Sequence, residues 1–155
     1  MPAKKLKEFL DAHQVKYVTI RHSEAYTAQE IAALAHIRGK ELAKTVMVKV
    51  DGKLAMAVLS ASSRVDMSLL NAAAGAKSIG LATEAEFKRL FPDCETGAMP
   101  PFGNLYGRSV FADASLTKDD QIAFSAGSHD ELIRMAYKDF GRLVQPAVAE
   151  FSARP

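Results

Sequence analysis

Cysteine occurs once, at position 94, and tryptophan not at all. A lone thiol closes no internal disulfide, so the fold must rest on its packed core, as suits a reducing cytoplasm. No apolar stretch approaches the roughly 18 residues of a membrane-spanning helix. The opening Met-Pro-Ala-Lys-Lys leads into an amphipathic segment and not an apolar signal core. The expectation is a cytoplasmic protein with no membrane partner. The four histidines, His13, His22, His36 and His129, include no pair at i,i+3 or i,i+4. With no cysteine cluster either, no metal and no cofactor is expected. The chain also lacks a G-x-S-x-G elbow, a P-loop and a G-x-G-x-x-G turn. Ser128-His129-Asp130 is a triad in name only, because adjacent side chains diverge. Cys94 lies between Asp93 and Glu95, whose charges raise a thiol pKa and disfavour the nucleophilic thiolate.

The 155 residues, 48% hydrophobic and 25% charged, suit a single domain spanning 1–155 with a real core. Net charge is +2, unevenly spread: residues 1–50 hold nine Lys/Arg against five Asp/Glu, and the remaining 105 hold eleven against thirteen. A basic N-terminal region on a near-neutral body can meet a phosphate backbone, although an ordinary solvated surface is the plainer account of so small a surplus.

Helix signals punctuate the chain. Leu6, Phe9 and Leu10 give an apolar face after Pro2. Thr27 and Glu30 form a capping box before Ile31 and Leu34, and Thr83 and Glu86 a second before Phe87, Leu90 and Phe91, with Pro92 as the stop. Asp66 caps a helix carrying Leu69, Leu70 and Ala73, which Gly75 ends. Ser128 and Glu131 read as a third box ahead of a helix through Leu132, Ile133 and Ala136 to Gly141. Strands are expected at Tyr17–His22, Lys44–Val50, Lys53–Ser60, Leu105–Ala112 and Gln121–Ala126, with Asp51-Gly52 as a hairpin turn. Hairpins with irregularly interleaved helices define an α+β fold: a mixed, largely antiparallel, barrel-like sheet surrounded by helices.

The most informative run is Gly97-Ala-Met-Pro-Pro-Phe-Gly103. The prolines fix φ and carry no N–H, while the glycines admit positive φ or close approach. Such a segment continues neither a helix nor a sheet. It can hold a rigid loop whose remaining N–H groups, such as those of Ala98 and Met99, point outward to a carbonyl oxygen or a developing oxyanion; a surface turn is the plainer alternative. Lys44 opens a strand just after Gly39-Lys40-Glu41, where its ammonium can meet an anionic or polar substrate group, the plainer alternative being a solvated strand-edge lysine.

Thr27-Ala-Gln-Glu30, Lys44-Thr45 entering an apolar strand, Gly97-x-x-x-Pro101 and Ala126-Gly127-Ser128 occur in an order that resembles the YbaK/ProX aminoacyl-tRNA deacylases, from about Leu6 to Phe140. The resemblance implies hydrolysis of the ester of a mischarged tRNA, in trans, with no metal and no covalent protein nucleophile. It implies that Lys44, Gly97 and Pro101 carry the reaction, backbone amides of the loop positioning the aminoacyl carbonyl. The free hydroxyl of the terminal ribose would help activate the attacking water. Tyr26, Thr27, Ala98, Met99, Phe102, Gly127, Ser128 and His129 would contact substrate, with Met99 and Phe102 walling a pocket for small amino acids. The implied partner is the 3′ acceptor end of aminoacyl-tRNA, with room for an aminoacyl-tRNA synthetase as a second. A non-catalytic tRNA- or synthetase-binding module, and a metal-free hydrolase of another small acyl ester, stay open at this point.

Overall fold

A computed structural model of the protein describes residues 4–23, 33 and 41–153. The Thr27–Glu30 capping box, Ile31, Leu34, His36 and the candidate contacts Tyr26 and Thr27 lie outside them.

The centre of the fold is a hairpin of β2 (Ala43–Val50) and β3 (Lys53–Ser60), paired in register from Ala43–Ser60 to Val50–Lys53. Asp51 and Gly52 both take positive φ, 49° and 82°, as a tight two-residue turn matched to strand twist requires. Side-chain alternation then splits the hairpin between two cores. Ala43, Met47, Met56 and Val58 face one, with Phe102, Phe124 and Phe140. Val48, Ala55, Ala57 and Leu59 face the other, with Leu70 and Phe151.

Around this hairpin lie β5 (Ile79–Leu81), antiparallel to β2, and β6 (Ser109–Asp113), parallel to β3. β9 (Ala147–Ala149) runs parallel to β6, which gives the order β5-β2-β3-β6-β9. A second sheet sets β8 (Glu131–Ala136) between β1 (Tyr17–Arg21) and β7 (Gln121–Ser125), all antiparallel. A third pairs β4 (Arg64–Val65) with β10 (Ser152–Ala153). The α+β reading and its largely antiparallel pairing hold, but the described strands form three sheets and no closed barrel.

Helix α1 (Lys4–Ala12) buries Leu6 and Leu10. Helix α2 (Met67–Ala74) starts on Asp66, whose carboxylate accepts from the Leu69 amide at 3.1 Å, and ends at Gly75 in the left-handed region. Helix α3 (Glu84–Phe87) carries the full Thr83–Glu86 capping box and passes into a 3-10 turn before Pro92.

Four expectations are corrected. Glu131–Ala136 is strand, not helix: β8 is paired on both edges and buries residues of both faces, Leu132 on one and Ile133 and Met135 on the other, so strict alternation does not flag it. Ser128 therefore caps nothing; its hydroxyl donates to Asp130 at 2.7 Å. Helix α4 (Tyr137–Val144) follows and runs through Gly141, its left-handed end residue being Gln145. Residues Gly103–Leu105 form a 3-10 turn, so that strand begins only at Ser109.

Asp113 fastens the C-terminal segment. Buried at the end of β6, it accepts from the amides of Phe151 (2.9 Å) and Ser152 (3.1 Å) with one oxygen. The other takes the Ser115 amide (3.1 Å), the Ser115 hydroxyl and the Ser152 hydroxyl (3.0 Å). Burial alone raises its pKa, but the bonds from Ser115, Phe151 and Ser152 outweigh it and hold the carboxyl below the usual value. A depressed folded pKa means stability that is complete above the unfolded value of about 3.9 and is lost as pH falls through the folded one. Asp113→Ala, which strands several donors, is expected to cost about 3 kcal/mol and to remove that acid dependence, read by urea unfolding at neutral and acidic pH.

Candidate functional site

The Gly97–Gly103 segment is neither helix nor strand until its closing 3-10 turn, as its prolines require. It is not a surface turn. Ala98, Met99, Pro100, Pro101, Phe102 and Gly103 are all buried. Phe102 anchors it, with ring centroids 6.2 Å from Phe9 of α1 and 5.5 Å from both Phe124 and Phe140. Its two glycines do different work. Gly97 sits at φ +89°, where an added Cβ meets nothing nearer than His129 Cε1 at 3.6 Å, so the demand is on backbone conformation. At Gly103 an added Cβ lies 2.5 Å from the Arg108 carbonyl oxygen, so the demand is on space.

The loop's amides are not all available. The Ala98 N–H does not point outward, because it donates to the Glu95 carbonyl at 3.0 Å. Gly97 N–H donates to the Met99 thioether sulfur at 3.2 Å, a weak acceptor that a carbonyl oxygen displaces readily. The Met99 N–H has no acceptor among the described residues.

A second loop is joined to the first. Glu95 N–H donates to the Gly127 carbonyl (2.7 Å), Gly127 N–H to the Ala98 carbonyl (2.9 Å), and His129 N–H to the Glu95 carboxylate (2.6 Å). The His129 ring reaches the Thr96 carbonyl from Nε2 at 2.9 Å, which assigns a proton to that nitrogen, since a carbonyl can only accept. Gly97, Ala98, Met99, Gly127 and His129 thus come together, with Pro101 and Phe102 beneath them in the core and Ser128 between Gly127 and His129. Glu95 and Thr96 escaped the sequence reading. Glu95 drew notice only as a charge beside Cys94, and no spacing signal marks a bond across 34 positions.

Lys44 stands on β2, outside that hydrogen-bonded set. β2 meets β7 in parallel at the Leu42–Ala123 bridge, where Ala123 N–H also donates to the Glu41 carbonyl at 3.0 Å. That bridge is isolated; Lys44 lies two residues past it on β2, and Ser125, two residues before Gly127, lies two past it on β7. Alternation agrees, because Ala43, Phe124 and Ala126 share the first core. The Lys44 ammonium is half-buried, burial lowers its pKa, and no hydrogen bond or ion pair engages it among the described residues.

Neighbouring groups carry less chemistry. Burial, with a smaller push from Asp93, raises Cys94 to about 11 against the lowering effect of the Tyr106 hydroxyl, so it stays a thiol at neutral pH. None of the candidate residues lines the open cleft of about 460 Å³ formed by Thr117, Asp120, Tyr137 and Lys138 with their neighbours. Among the described residues, no group of three or more His, Cys, Asp or Glu is arranged to hold a metal ion. No described helix is long and apolar enough to cross a membrane.

The chain matches the aminoacyl-tRNA editing domain over residues 22–143. It is 34% identical over 127 residues to the multifunctional Ser/Thr-tRNA deacylase ProXp-y of Escherichia coli strain K12, covering 77% of this chain and 75% of that protein. The same protein from Escherichia coli O157:H7 matches to the same extent. Among solved structures, hypothetical protein APE2540 superposes with a TM-score of 0.87 at 20% identity, over 97% of this chain and all of that one. A candidate trans-editing enzyme for prolyl-tRNA synthetase superposes with a TM-score of 0.83 at 20% identity, over 98% of this chain and 97% of that one. The class so defined is that of aminoacyl-tRNA deacylases. The chain belongs to the family of aminoacyl-tRNA editing domains.

Two substitutions probe the site. Burying an ammonium opposes folding, and a lysine whose folded pKa is lowered by burial gains stability only as pH rises through that value. Lys44→Met, which keeps the apolar stem, is therefore expected to hold or raise the melting temperature while ester hydrolysis falls roughly 10- to 100-fold, the worth of one charge-assisted hydrogen bond. Gly97→Ala forces an L residue into positive φ at about 1–2 kcal/mol, and kcat/KM is expected to fall about 10-fold or more as the amide is re-aimed. Thermal melts alongside deacylation kinetics check both.

Proposed function

We propose that the protein, as one domain over 1–155, removes small amino acids from mischarged tRNA in trans, seryl- and threonyl-tRNA foremost. The observation that carries the reading is the buried loop with one weakly engaged amide, at Gly97, and one, at Met99, without an acceptor among the described residues. Those donors suit an aminoacyl carbonyl, whose oxygen gains charge as water attacks, and a loop fixed by two prolines holds them without reorganisation. Lys44 supplies the cation for the anionic 3′ end of the tRNA. The free hydroxyl of the terminal ribose orients the attacking water. The ester C–O bond breaks, the ribose oxygen leaves as the tRNA hydroxyl, and the amino acid departs as its carboxylate. No protein nucleophile, cofactor or metal enters this scheme.

Met99 lies beside the donors, backed by Phe102 in the core, and gives this end of the loop an apolar floor. Such a floor excludes larger side chains by clash and separates neighbouring small ones weakly, at about 1–3 kcal/mol per methylene. The expected substrates are esters of serine, threonine and alanine. The partner is the acceptor end of tRNA, with an aminoacyl-tRNA synthetase as a further one, and the place of action is the cytoplasm.

A panel of purified seryl-, threonyl-, alanyl- and phenylalanyl-tRNAs tests the proposal. The small esters are expected to be cleaved, in EDTA as well as without it, and the phenylalanyl ester about 100-fold more slowly or not at all. Comparable rates on phenylalanyl- and seryl-tRNA would remove the small pocket. Binding of tRNA with cleavage of none would leave a non-catalytic module.

A further inference from the structure

We propose that Glu95 is a positioning residue that locks the Gly97–Phe102 and Gly127–His129 loops into one substrate-holding unit; the proposal rests on the deacylase reading above. Glu95 spends all three of its polar groups on these two loops. Its N–H donates to Gly127, its carbonyl accepts from Ala98, and its carboxylate accepts from the His129 amide. The first two bonds are made by main chain and survive any side-chain change except proline. The third is made by the side chain alone, at 2.6 Å, and bridges 34 positions of sequence.

A carboxylate bonded to a backbone N–H is roughly twice as strong as a neutral pair. It fixes the backbone at His129, whose ring returns to Thr96 and stands 3.6 Å from where a Cβ on Gly97 would be. The Glu95 side chain therefore controls how the His129 ring lies against Gly97, two residues before Met99, whose amide has no acceptor among the described residues. Its effect passes through the loops to the carbonyl-binding donors, without contact with the reacting atoms. Geometry also sets which replacements work. Glutamine retains an acceptor oxygen at the same reach, aspartate falls one methylene short, and alanine removes the bond.

The experiment compares the native protein with Glu95→Gln, Glu95→Asp and Glu95→Ala. It reads kcat and KM on seryl-tRNA, melting temperature, and hydrogen exchange of the His129 amide by NMR. In Glu95→Ala the His129 amide is expected to exchange faster and kcat to fall about 10- to 100-fold, the scale of a small misplacement of catalytic donors. KM and melting temperature are expected to stay near native. Glu95→Asp should resemble alanine, and Glu95→Gln should recover most of kcat and of the exchange protection. Native exchange at His129 in Glu95→Ala overturns the lock. Native kcat in that variant, failure of glutamine to rescue, or a loss confined to KM overturns the positioning role. A native protein that cleaves neither seryl-tRNA nor any other aminoacyl-tRNA overturns the deacylase reading instead, a result distinct from an active native protein indifferent to Glu95.

Discussion

A chain segment that is neither helix nor strand can be buried only if its main-chain polar groups are satisfied or removed, and the candidate site depends on how residues 97–103 meet that constraint. Each buried N–H left without an acceptor costs about 1–3 kcal/mol. Pro100 and Pro101 remove two donors outright. Ala98 places its own donor on Glu95 and its acceptor on Gly127. Phe102 then holds the segment in the core against Phe9, Phe124 and Phe140. What remains is the Met99 amide and the loosely held Gly97 amide, and an incoming carbonyl satisfies the same need.

Charge is arranged to complement those donors. Lys44 lies two residues past the isolated bridge to the strand that leads into Gly127, half-buried and without a counter-ion among the described residues. Such a cation costs stability, and positions of this kind belong to binding more often than to folding. Elsewhere carboxylates stabilise the frame. Asp113 gathers the C-terminal segment, and Glu131, buried in β8, pairs with Lys7 of α1 at 2.9 Å and with Arg21 of β1. Glu131 thus ties the strand after the second loop to the helix that packs on Phe102.

Local signals carried much of the fold. Asp51-Gly52, Asp66 with Gly75, and Thr83 with Glu86 act through side chains within a few residues of their targets, and each does what its type predicts. Glu131–Ala136 misled because a doubly flanked strand and a capped helix can carry the same apolar run; Glu131 resembled a cap partner while serving Lys7. The site was legible as motifs and order. Its wiring was not, since Gly127 donating to Ala98 and Glu95 reaching His129 depend on a meeting of loops about thirty positions apart.

The central claim is that the 97–99 amides receive the aminoacyl carbonyl. A crystal structure with a non-hydrolysable seryl-adenosine amide tests it most directly. The account predicts the carbonyl oxygen within hydrogen-bond distance of the Met99 or Gly97 N–H, with the Met99 sulfur displaced from Gly97. An analogue seated elsewhere, with the Gly97–Met99 contact intact and the Met99 amide still unmet, would contradict it.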